Sequence, residues 1–346
     1  MTPGDLDREP VRISYFSVQD HYPDRPRTVP ELYAQVLRQG ELAESLGYHA
    51  FFVAEHHFHE YGTVPNPAVM LAALAQRTRR LKLGPAISVL TFHDPLTVAE
   101  SYAMLDVLSG GRTILGVGSG YLKHEFAGYA IDPAEKRARF DEKLAILKLA
   151  LAGERFSYQG RYHRVDAVQL NVVPVRPIPI YVAVLAREAA YHVGRQGHNV
   201  MCVPYATLDR FAEIGALVAE FRRGRAEAGV ASDRDESLFA FHTHVAESDE
   251  AARRNAAEAF NLYVATRLYA KRQVYDDILE SGLGLFGSVE TVVDKMAELA
   301  RLGVTHVMAI HNFGYMAEAA VTQSMTLLAN EVMPRLHKRI GRPAAA

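Results

Sequence analysis

The chain has 346 residues, 49% hydrophobic and 23% charged, with 40 acidic and 38 basic side chains and a formal net charge of −2; this composition excludes a largely disordered protein. Charges of both signs are interspersed, so there is no electrostatic footprint for nucleic acid or an anionic membrane, and a small neutral partner is expected. The lone cysteine, Cys202, permits no internal disulfide, the polar start MTPGDLDREP lacks the apolar core of a signal peptide, and no apolar run approaches the roughly 18 residues of a membrane span, which together point to a cytoplasmic protein.

Short β-branched or aromatic runs alternate eight times with segments of helical period, the pattern of βαβ units and a parallel sheet. Strands are expected near residues 12–18, 49–54, 82–89, 112–117, 179–184, 199–203, 238–245 and 304–310. Helices follow near 30–46, 66–79, 96–108, 133–152, 186–196, 207–228, 289–302 and 316–336. Gly47, Gly197 and Gly303 stand where left-handed helix caps are wanted. Eight units in about 300 residues favour closure into an α/β, (β/α)8 TIM-type barrel over an open doubly wound sheet, here as a single domain over residues 1–346. Two stretches exceed ordinary loop length and read as insertions, 153–178 after helix four and 248–288 after strand seven. The second holds a helical pattern at 250–268 and a basic, glycine-punctuated run at 271–287, which reads as a lid over a barrel mouth or as a surface excursion.

In such a barrel the active site lies at the carboxyl ends of the strands. Of 15 histidines, His56, His57, His59, His93, His242, His244 and His311 fall at or just beyond the ends of strands two, three, seven and eight. Strand two emerges into Glu55-His56-His57, where alternation sends Glu55 and His57 one way and His56 the other. Imidazoles there can hold an oxyanion, move a proton or bind metal, or simply cap a strand. No metal is expected, because adjacent strand histidines diverge and no HExxH or carboxylate triad accompanies them. His93, before Asp94-Pro95, faces the mouth or caps the turn. The run Gly116-Val117-Gly118-Ser119-Gly120-Tyr121 lets a ligand approach backbone, but it does not open directly into a helix as a Rossmann turn would. After strand five, Ala186-Arg187 opens a helix whose free N–H groups suit a phosphate, unless Arg187 merely pairs with Glu188.

Taken in order, Ala54-Glu55-His56-His57-Phe58, Leu108-Ser109-Gly110-Gly111-Arg112 with the glycine run, Phe286-Gly287-Ser288-Val289-Glu290 and Ala329-Asn330-Glu331-Val332-Met333-Pro334 make the chain resemble the bacterial luciferase-like flavin monooxygenases over residues 11–337. The resemblance implies a monooxygenase in which reduced FMN, supplied by a separate flavin reductase, reacts with molecular oxygen through a C4a-(hydro)peroxyflavin to oxidise a small organic substrate. It implies proton control by His56, with Glu55 and His57 orienting the site. It places flavin contacts at Ala86-Ile87-Ser88, where relatives often carry a cis peptide, at Ser119 and Tyr121, and at Ala186 and Arg187. Gly118 and Ser119 stand where the luciferase subunit has a reactive cysteine and a phosphate-contacting arginine, so light emission does not carry over. A homodimer through helices beside strand two is implied as well, and the small-residue-rich helix 68–75 suits close packing on a partner or simply on the barrel. Two other implications stay open: an F420-dependent oxidoreductase of the same superfamily, and a non-catalytic flavin-binding subunit. Phe16, Tyr61, Phe92, Tyr205, Phe313 and run 271–287 are the expected pocket lining, which suits a hydrophobic or aromatic substrate.

Overall fold

In the computed structural model, residues 11–60, 62–230, 236–267 and 273–341 are described; Tyr61 and residues 271–272 of the expected lid lie outside them. The elements are β1 (Arg12–Ser17), α1 (Val29–Ser45), β2 (Ala50–Val53), α2 (Pro67–Ala75), β3 (Lys82–Pro85), β4 (Ser88–Val89), α3 (Pro95–Ser109), β5 (Leu115–Gly118), α4 (Lys123–Gly128), α5 (Lys136–Leu151), β6 (Phe156–Gln159), β7 (Arg164–Val168), β8 (Ile180–Val184), α6 (Arg187–Arg195), β9 (Asn199–Cys202), α7 (Pro204–Thr207), α8 (Glu213–Glu227), β10 (Ser237–Ala246), α9 (Asp249–Ala265), α10 (Tyr275–Ser281), β11 (Leu285–Ser288), α11 (Val289–Arg301), β12 (His306–Ile310), α12 (Glu318–Leu327) and α13 (Met333–Arg339). Parallel strands each followed by helix make this an α/β, TIM-type (β/α)8 fold, as the alternation requires. Among the described residues no helix is long and apolar enough to cross a membrane.

The chain forms two interleaved compact units. A β10 unit holds the described parts of Met1–Phe16 and Val184–Ala346 together with Ser45–His49, and a β5 unit holds Ser17–Glu44 and Ala50–Ala183. In the β10 unit, β10 pairs in parallel with β9, β11 and β12, and β12 with β1. Every residue of β10 is buried, as expected of a parallel strand covered on both faces. In the β5 unit, β2 pairs with β3, and β5 with β4 and β8, again in parallel.

The structure departs from the sequence reading at several places besides α4, which lies in a stretch that reads as a connection. Strand three is interrupted between β3 and β4, where the Ala86–Ile87 peptide is cis. The 153–178 stretch contains an antiparallel hairpin, β6 with β7. The described part of run 271–287 is not a bare loop: it forms α10, and Leu285 and Phe286, both buried, begin β11, which pairs along the carboxyl half of β10.

The Gly110-Gly111-Arg112 turn shows how a local motif ties this scaffold together. Gly110 and Gly111 take φ values of 72° and 84°, a region that costs little only for glycine. This reversal aims the Arg112 guanidinium at the ends of its neighbours. It donates to the Ser109, Ala75, Thr78 and Leu81 carbonyl oxygens and to Thr78 Oγ1, at 2.6–3.1 Å. Arg112 therefore caps the carboxyl ends of α2 and α3 and holds the start of β3, using the planar fork of donors that a lysine lacks. We expect Arg112→Met to lower stability by about 2–4 kcal/mol, and Arg112→Lys to recover less than half of that, by denaturant unfolding; a loss below about 0.5 kcal/mol in the methionine variant would contradict this role.

Candidate functional site

Strand β2 is wholly apolar and buried, and the chain leaves it through Ala54 into Glu55, His56 and His57. Alternation then separates the two imidazoles. His57 Nε2 lies 3.0 Å from Glu55 Oε1, whereas His56 Nδ1 lies 3.1 Å from Oε1 of a different carboxylate, Glu125. Both carboxylates are buried, Glu55 at 3% and Glu125 at 1% exposure. Glu55 Oε1 has a second imidazole, His93 Nε2, at 2.7 Å, so His93 faces the cluster. Glu125 Oε1 also accepts from the His57 backbone N–H at 3.0 Å, which locks the two residues' backbone to α4.

These contacts set protonation. Burial pushes the Glu55 carboxyl upward, but hydrogen bonds from His57 and His93 outweigh it and hold its pKa below the ordinary value. An ionised carboxylate only accepts, so His57 and His93 present Nε2–H to Glu55. His57 Nδ1 is then an acceptor, and Tyr129 O–H stands 3.1 Å away to donate to it. The Tyr129 pKa is raised by burial and by Glu55 and Glu125, which keeps its proton in place. His56 takes the opposite tautomer, with Nδ1–H donating to Glu125. The Tyr121 and His56 rings meet edge to face, with centroids 6.4 Å apart.

Supporting contacts fix the His93 side of the cluster. Lys143 Nζ donates to the carbonyl oxygens of Thr91 and His93 at 2.9 and 2.7 Å. Thr91 Oγ1 donates to the Ser119 carbonyl. Phe92 stacks on Tyr129, centroids 4.8 Å apart and nearly parallel, and makes an edge-to-face contact with Phe126. Ala86 and Ile87 are half-buried and Ser88 is buried. Glu55, His56, His57, Ala86, Ile87, Ser88, Ser119 and Tyr121 thus share the β5 unit, with Glu55, His56, His57 and Tyr121 tied by the contacts above. Ala186 and Arg187 open α6 in the β10 unit. There Ala186 supplies no side-chain cap, and Arg187, 3.7 Å from Glu188, is exposed, leaving helix N–H groups and a guanidinium suited to a phosphate.

The remaining strand-end histidines have other settings. His59 lies near the surface, 3.7 Å from Glu60. His311 sits between Tyr48 Oη and Ser324 Oγ, with burial taking its pKa down to about 3. His242 is enclosed by Tyr205, Phe260, Tyr263 and Phe313, and burial takes its pKa well below the ordinary value. Burial likewise takes His244 to about 4. These are neutral core groups of the β10 unit. Glu125 and Tyr129 were not foreseen, because residues 121–132 read as a connecting loop. The signal was Leu122 and Phe126, an i, i+4 apolar pair whose burial brings Glu125 inward on α4.

Because the folded pKa of Glu55 lies below its unfolded value, its charge contributes stability that is present above the ordinary carboxylate value near 4.5 and is lost as pH falls through the folded value. Glu55→Gln should therefore show a shallower loss of stability on acidification than the parent, measured by denaturant midpoints across that range. Identical acid limbs would mean that Glu55 is not held ionised in the fold.

A family model described as luciferase-like monooxygenase matches residues 11–306. The chain is 37% identical to protein y4wF of Sinorhizobium fredii (strain NBRC 101917 / NGR234) over 63% of its own length and 62% of that protein. It is 28% identical to limonene 1,2-monooxygenase of Rhodococcus erythropolis, over 89% of this chain and 82% of that one. It is 27% identical to F420-dependent glucose-6-phosphate dehydrogenase of Microbacterium testaceum (strain StLB037), over 88% and 94%. Of solved structures, it is similar to the monooxygenase RslO1 from Streptomyces bottropensis, with a TM-score of 0.85 and 27% identity over 94% of this chain and 99% of that one.

Proposed function

The chain belongs to the luciferase-like monooxygenase family, and we propose that within it this protein is a flavin-dependent monooxygenase that uses reduced FMN and molecular oxygen to oxidise a small hydrophobic or aromatic compound. The observation that carries this reading is the pair of adjacent imidazoles set against two different buried carboxylates. One imidazole, His57, has Nε2 3.0 Å from the Glu55 carboxylate, while its neighbour His56 has Nδ1 3.1 Å from the Glu125 carboxylate, a buried carboxylate–imidazole pair suited to moving a proton. Bound reduced FMN would supply the electrons and activate the oxygen. The protein's part is to hold the ring and to control one proton while water is kept out. Within the β5 unit, the half-buried Ala86-Ile87 segment and the glycine-rich turn at Ser119-Gly120-Tyr121 suit the face of a flat ring; within the β10 unit, the α6 start at Ala186-Arg187 by itself suits a phosphate. Similarity to a limonene monooxygenase and to RslO1 supports oxygen transfer. The F420-dependent relative keeps hydride transfer from that deazaflavin as the competing reading. A distinct reductase is the proposed source of reduced flavin, and a cytoplasmic setting fits the one, buried cysteine.

The deciding experiment is anaerobic mixing with reduced FMN, then oxygen, following the flavin spectrum. The monooxygenase reading predicts reoxidation that the protein slows markedly against free FMN in buffer and that added substrate accelerates. Reoxidation at the free rate, together with reduction of F420 by an alcohol or sugar phosphate, would overturn it. In the same assay His56→Ala should keep flavin affinity within a few-fold and lower oxygenated product by about 10²-fold, and Glu125→Gln should lower it by about 10-fold with a shifted pH profile. Product formation unchanged in both would remove the pair from the mechanism.

A homodimer is proposed through α2 and α3, which pack on each other and leave Val69, Met104, Val107 and Leu108 about half exposed or more. Isolated apolar residues are ordinary on a surface, but four on two adjoining helices form a patch suited to a second copy. Val69→Asp combined with Met104→Asp should yield monomers by light scattering, where the parent is dimeric; a monomeric parent or a dimeric double variant would contradict this interface.

A further inference from the structure

We propose that Glu55, His57 and His93 form a binding site for one divalent transition-metal ion of the zinc type, with Glu55 Oε1 and the Nε2 atoms of both histidines as ligands and water completing the shell. Two imidazoles and a carboxylate are a donor set that zinc, cobalt and iron(II) accept readily. The three ligand atoms lie within 4.8 Å of one another, and the two nitrogens stand 3.0 and 2.7 Å from the carboxylate oxygen. An ion holding N and O ligands at about 2.0–2.2 Å sets neighbouring ligand atoms roughly 3.0–3.4 Å apart, so the side chains need open only slightly to admit one. The sequence argument against metal concerned adjacent histidines. Those two do diverge, and the second nitrogen is supplied instead by His93 from beyond β4.

The surroundings also meet the demands of a metal site. Tyr129 stands on His57 Nδ1 at 3.1 Å. When Nε2 turns its lone pair to an ion, the imidazole proton moves to Nδ1, and the Tyr129 oxygen accepts it, an orienting contact of the kind ligating histidines use. Lys143 anchors the backbone carbonyl of His93. Entry is through His93, whose side chain is 27% exposed while Glu55 and His57 are at 1% and 4%. Binding replaces the two N–H hydrogen bonds to Glu55, so ion and hydrogen-bonded network exclude each other. Under the functional reading above such an ion would inhibit, but its binding is measurable without flavin or substrate.

The test titrates the metal-free protein with Zn²⁺ by calorimetry and with Co²⁺ by visible absorption, in the parent, in His93→Gln and Glu55→Gln, and in a His59→Gln/His124→Gln control that removes the imidazole pair 5.5 Å apart near the surface. The expected result is one ion per chain, a Co²⁺ visible spectrum of imidazole and carboxylate ligation in the parent, affinity lost by about 30-fold or more in both single variants, and no change in the control. No stoichiometric binding to the parent, affinity retained in His93→Gln, or loss only in the control would each overturn the proposal. The parent's Co²⁺ spectrum decides the matter even if a variant folds poorly.

Discussion

A carboxylate that stays ionised while buried is the constraint around which this site is organised. Removing Glu55 from water costs several kcal/mol unless charge-assisted hydrogen bonds replace its hydration. Two imidazoles do so here, one from the residue two positions on and one from the segment after β4. That requirement fixes the His57 ring, fixes the approach of His93, and makes the Thr91–His93 backbone worth clamping with a buried lysine. The Tyr129 hydroxyl and the Phe92 ring then pack on what the carboxylate has oriented.

The neighbouring histidine gains its distinct setting from the alternation of side chains just past the end of β2. Successive side chains leave an extended strand on opposite sides, so His56 cannot reach Glu55 and meets Glu125 instead. Two adjacent imidazoles follow, each set against its own buried carboxylate. This pairing connects the sequence Glu-His-His to the chemistry proposed for the family member, and the same convergence on Glu55 makes a metal ion a competitor for the site.

The eight strands were legible because each is a short apolar run bounded by turn residues, and the Gly47, Gly197 and Gly303 caps show φ values of 79°, 77° and 91°. Glu55, His56 and His57 were legible from alternation at a strand end. Glu125 was not, since it lies 69 positions from His56 on a six-residue helix inside what reads as a connection. Strand β11 was missed for a related reason: four residues give too little periodicity, and only pairing with β10 makes them a strand. Position at a strand end identified His242 and His311 as readily as His56, yet burial among aromatic rings and hydroxyls gives them packing roles that no spacing reveals.

Nitrogen-15 NMR of the histidine rings at neutral pH reads the proton placements directly. The structure predicts His57 and His93 protonated on Nε2 and His56 on Nδ1 in the metal-free protein. The same tautomer on His56 and His57 would contradict the division of labour between the two carboxylates.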